Sequence, residues 1–146
     1  MSATTIVVEV IVPEEDDRMN LRDSAWSLAL DQRTFGPRRL LVAFADSKGR
    51  YLGMAHAPRT DPFDIALSGC LAHVPPGAVA AVAFNDEPVP RGRPSSDLPV
   101  RFAEAWAMCA EAGVHLVDWF ACDDMDFRST RLALDLDPGA PWWDLP

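Results

Sequence analysis

Two hydrophobic periods alternate along the chain. A β-branched run, Thr4–Val12 (TTIVVEVIV), predicts a strand. The acidic stretch PEEDD follows as a solvated loop, and Asn20 then caps a predicted helix through about Thr34, with Leu21, Ala25, Leu28 and Ala29 on one face. Gly36-Pro37 stops that helix. Arg38–Ala45 and Arg50–His56 are strand-like runs on either side of Asp46-Ser47-Lys48-Gly49, which predicts a hairpin. Asp61-Pro62 opens a second helix, because Asp caps well and Pro fits the first turn. Its apolar stripe is Phe63, Ala66, Leu67, Cys70, Leu71 and Val74, and Pro75-Pro76-Gly77 ends it.

Ala78–Phe84 (AVAAVAF) is apolar at every position, the pattern of a central strand covered on both faces. The stretch from Asp86 to Asp97 (DEPVPRGRPSSD) is a long polar loop. Leu98–Ala112 predicts the longest helix, with Val100, Ala103, Ala107 and Ala110 inward and Gly113 as its stop. Val114–Cys122 and Phe127–Leu136 predict two further strands around the acidic turn Asp123-Asp124-Met125-Asp126, and residues 137–146 form a tail. The order β-α-β-β-α-β-α-β-β, with no linker or repeat, predicts one α/β domain over residues 1–146. Its central mixed sheet is flanked by helices in three layers.

Charge narrows the partners. The net charge is -9, and Lys48 is the only lysine. Nucleic acid and anionic membrane surfaces are disfavoured, since both are bound by clustered positive charge. No apolar run reaches the roughly 18 residues of a membrane helix. Met1–Thr5 leads into the first strand without a basic segment, so no signal peptide is expected. Cys70, Cys109 and Cys122 are odd in number and lack metal-ligand spacing, which predicts buried core thiols in a reducing cytoplasm rather than disulfides.

One stretch resembles a known family. The strand AVAAVAF runs into Phe84-Asn85-Asp86, and ten residues, EPVPRGRPSS, separate Asp86 from Asp97. Val117-Asp118-Trp119 follows the next helix, and Phe127-Arg128-Ser129 closes the last hairpin. This spacing resembles the RadC-like JAB domain of the JAB/MPN metalloprotease-like superfamily, mainly over residues 38–131. The resemblance implies a JAB/MPN-like sheet of cytidine-deaminase-like topology. It also implies a zinc held by a His-x-His pair and an aspartate, with a serine before that aspartate and a glutamate upstream as general base. In this chain Phe84 and Asp86 stand at the two histidine positions, and Asp97 matches the aspartate. Pro94 occupies the serine position with Ser95 one residue late, Trp119 replaces a histidine, and no glutamate lies between Glu15 and Glu87. A phenyl ring has no lone pair to give a cation, and without a base the metal-bound water has no proton acceptor.

The leading expectation is therefore a catalytically degenerate JAB-like domain of bacterial type, a binding or scaffolding module without a metal. A divergent metal-dependent hydrolase or isopeptidase is the alternative. It would use His56, Asp86 and Asp97, a one-imidazole, two-carboxylate set suited to manganese or zinc. The bland reading of the same residues makes Asp97 a helix cap, Asp86 the start of an exposed loop, and His56 a surface residue at a strand end. A third reading is an actinobacterial α/β domain unrelated to JAB proteins. Partner-binding candidates are Arg91 and Arg93 in the proline-rich loop and the tandem Trp142-Trp143, which either packs on its own sheet or meets a protein partner or second copy. Asp123, Asp124 and Asp126 lack the glycine and terminal glutamate of a calcium loop. A Cys109 or Cys122 nucleophile with His115 is disfavoured by the inward placement of both thiols, and His73 falls where it meets a helix dipole.

Overall fold

A computed structural model describes residues 9–12, 39–58, 63–86, 97–122 and 127–129. In chain order these form strands β1 (Glu9–Ile11), β2 (Arg39–Ala45) and β3 (Tyr51–Pro58), helix α1 (Phe63–Leu71), strand β4 (Ala80–Asp86), helix α2 (Asp97–Glu111), and strands β5 (His115–Cys122) and β6 (Phe127–Ser129). They build a six-stranded mixed sheet in the order β1-β3-β2-β4-β5-β6. Among the described strands only β4 and β5 are parallel, which requires the crossover that α2 supplies. The chain is an α/β protein with a mixed sheet. The predicted helix at Asn20–Thr34, the part of the first strand before Glu9, the part of the last strand after Ser129 and the Trp142-Trp143 tail lie outside the described residues.

The β2–β3 hairpin is closed by local chemistry. Asp46 Oδ1 accepts the backbone N–H groups of Lys48 at 2.9 Å and of Arg50 at 3.0 Å, while its Oδ2 meets Arg50 Nε at 3.0 Å. Gly49 takes φ 80, a conformation that costs L-residues with a Cβ.

Two clusters of buried residues lie on opposite faces of the sheet. On the first face Leu40, Val42, Phe44, Ala83 and Trp119 pack with Ala66, Leu67 and Cys70 of α1 and Ala105 and Cys109 of α2. Phe63 at the start of α1 meets Trp119 edge-on, with centroids 5.5 Å apart, and the Arg101 guanidinium sits 5.6 Å from the Phe63 centroid. The second face holds Leu41, Ala43, Val82, Phe84, Val117 and Phe120, also buried, and no residue of the two described helices contributes to it. A three-layer arrangement requires a cover over this second face, and the predicted helix at Asn20–Thr34 lies outside the described residues.

The stripe read for α1 is the one observed: Ala66, Leu67 and Cys70 are buried, and Phe63, Leu71 and Val74 pack partly against them. Helix α2 turns a different face inward from the one its alanines predict. Ala103, Ala107 and Ala110 point to solvent, whereas Ala105 and Cys109 are buried and Phe102 and Met108 pack partly inward; the side chain of Val100 is outside the described residues. A methyl group brings little hydrophobic driving force, so Phe102, Met108 and Cys109 turn to the sheet in place of the three alanines, while Trp106 stays exposed. Alanine on the outer face serves as a good helix former.

The end of α2 follows the expected stop. Val114 N–H donates to Cys109 C=O and Gly113 N–H to Ala110 C=O, both at 3.0 Å, with Gly113 at φ 85. Together these bonds form a Schellman motif, and buried Val114 and Cys109 make its apolar contact.

Candidate functional site

Strand β4 runs two residues further than its apolar pattern suggests. Asn85 pairs with Leu40 on β2 and Ala121 on β5, and Asp86 with Cys122 on β5, so the neighbouring ladders hold two residues of poor strand propensity. Asp86 is thus the last residue of a strand and half-buried, not the start of an exposed loop. The carboxyl ends of the parallel strands β4 and β5 are where open α/β sheets take ligands.

Cross-strand register places the candidate residues. His56 lies opposite Leu41, Leu41 opposite Phe84, and Phe84 opposite Phe120, so these four form one row on the second face. Phe84 is fully buried and stacks on Phe120 with centroids 5.1 Å apart and an 18° interplanar angle. It is a core side chain with no access to solvent.

His56 also departs from the surface placement. It sits inside β3, which continues to Pro58, and only 8% of it is exposed. Arg39 Nη1 lies 3.3 Å from His56 Nδ1. A guanidinium only donates, so Nδ1 is the acceptor in this contact. The ring nitrogen's lone pair is thereby directed at a fixed positive charge, an arrangement adverse to a divalent cation at the same atom.

Strand β2 separates the strands that carry His56 and Asp86. At about 4.8 Å per strand, the backbones in the His56–Leu41–Phe84 row are roughly 10 Å apart from first to last. Arg39, in β2, occupies the same face as His56 and stands on the strand between it and Asp86. The described rim at this end of the sheet is therefore an imidazole, a guanidinium and a carboxylate on β3, β2 and β4 in turn. Among the described residues no group of three His, Cys, Asp or Glu side chains is placed to hold a metal ion. Asp97 begins α2, but its side chain, together with Ser95, Arg91, Arg93, Trp142 and Trp143, lies outside the described residues. Helix α2 packs on the first face, opposite Phe84.

Asp118 is the buried carboxylate that strand alternation misplaces. The register moves from Ala81↔Leu116 to Val82↔Asp118, so Val117 is an extra residue and β5 carries a bulge. After it, Trp119 packs among the first-face residues with Phe63, while Phe120 reaches the second. Asp118 Oδ1 accepts the Trp119 N–H at 2.7 Å, an acceptor in place within the bulge. No period-2 reading of LVDWF signals this shift, since a bulge changes the phase without changing composition.

The thiols are buried as expected, at Cys70, Cys109 and Cys122. Burial pushes the Cys70 and Cys109 thiols up to about 12, far from the thiolate that nucleophilic attack requires. The Cys70 thiol donates to Ala55 C=O at 3.6 Å. His115 meets the Trp106 ring edge-on at 6.3 Å. At the opposite end of the sheet, a groove of about 410 Å³ is lined by Val10, Val12, Leu52, His73, Val74, Pro75 and Pro76. His73 is exposed in the turn after α1.

The class is that of an α/β protein with a mixed sheet, whose described polar rim lies at one end of β3, β2 and β4. Comparison with protein-family models, curated proteins and solved structures returned no match. None of the described helices is long and apolar enough to cross a membrane.

Proposed function

We propose that this chain is a binding or scaffolding module on a three-layer JAB-like framework whose hydrolytic centre has been replaced by core packing. The observation that carries the reading is Phe84, fully buried and stacked on Phe120 at the position where the resemblance asks for a zinc-binding imidazole. A metal centre with an open water position needs lone pairs and solvent, and a stacked aromatic pair excludes both. The guanidinium of Arg39 against His56 supports the same reading, because a fixed cation stands where the salvaged set of His56, Asp86 and Asp97 would need an ion. The binding edge is assigned to the end of the sheet where β3, β2 and β4 carry His56, Arg39 and Asp86. Its rim groups suit a polar or charged partner surface, with Arg91 and Arg93, which follow β4 in the sequence, as the basic contribution.

The test is the metal content of the purified full chain, measured by inductively coupled plasma mass spectrometry after exposure to zinc and to manganese. The expected result is a content far below one ion per chain, unchanged in His56→Ala and Asp97→Ala. One tightly held ion per chain that either substitution removes would replace this reading with the metal-dependent hydrolase.

A further inference from the structure

We draw no further inference here: the strongest candidate, the apolar groove between β1 and the turn after α1, lined by Val10, Val12, Leu52, Val74 and Pro75, is an unpartnered face for which nothing in the structure shows what covers it.

Discussion

Truncating Phe84 to alanine separates a core residue from a relict of a functional cavity. Phe84 is fully buried, lies between Leu41 and Phe120 in its row, and stacks on Phe120 at 5.1 Å. Removing a buried phenyl ring costs about 3–5 kcal/mol, as lost transfer energy plus the cavity left behind. A domain of this size loses roughly 2–4 °C of melting temperature per kcal/mol, so Phe84→Ala is expected to melt about 6–20 °C below the parent. Urea unfolding followed by tryptophan fluorescence reads the same loss as a lower midpoint at unchanged slope. Phe120→Ala and the double variant complete a cycle in which the stacked pair contributes a coupling of about 0.5–1.5 kcal/mol. Residues kept for function are often neutral or costly to stability. A Phe84→Ala variant within about 1 kcal/mol of the parent, or more stable than it, would refute the core assignment and reopen position 84 as part of a site.

Thiol chemistry, a turn carboxylate and a helix stop supply three further tests. With Cys70, Cys109 and Cys122 all buried, a disulfide reagent at pH 8 should label none of them in the native chain and all three in denaturant; a rapidly labelled native thiol contradicts the packing. Burial raises the Asp46 carboxyl, but the Arg50 and Lys48 backbone N–H groups and the Arg50 side chain outweigh it and hold it below its usual value of 3.8. Because the folded-state value is depressed, the associated stability is present above the unfolded value and lost as pH falls through the folded one. Asp46→Ala should therefore cost about 1 kcal/mol at pH 7 and progressively less below pH 3.8, and an undiminished cost in acid would exclude the ionic contribution. At Gly113, φ is 85 and an added Cβ would meet no atom within 4 Å, so Gly113→Ala isolates backbone conformation. Chemical denaturation should show a loss of about 1–2 kcal/mol, and no loss would mean that the helix ends differently.

Legibility in the sequence followed the amount of hydrophobic surface each residue brings. In α1 the spacing of Phe63, Leu67, Cys70 and Leu71 leaves one face with large groups, and that face is buried. In α2 Ala103, Ala107 and Ala110 mark out one face, yet Phe102, Met108 and Cys109 on the other side set the orientation. Counting apolar positions gave alanine the same weight as phenylalanine, which the energetics of burial do not. Strand ends failed for a different reason: Asn85 is held by neighbours in both directions and Asp86 by Cys122, and such pairing is not a local property. The hairpin was legible because its determinants, Asp46 and Gly49, sit within the turn itself.

The same distinction governs the candidate site. Its spacing is a linear property and can be read directly, whereas the face each residue occupies depends on pairing. On the proposed reading, two imidazole positions of the resemblance have become aromatic, and the bulge in β5 sends them to opposite faces. Phe84 reaches the second face against Phe120, while Trp119, paired to Ala83, reaches the first against Phe63. Each substitution thus fills a separate core, and reversing one does not repair the other. A polar ring at either position would be buried with its nitrogen atoms in need of partners, at a cost of about 1–3 kcal/mol for each unsatisfied group. Rebuilding a metal centre here therefore requires more than restoring ligand chemistry. The Arg39 guanidinium would also have to leave His56, and the packing that now excludes water from Phe84 would have to open.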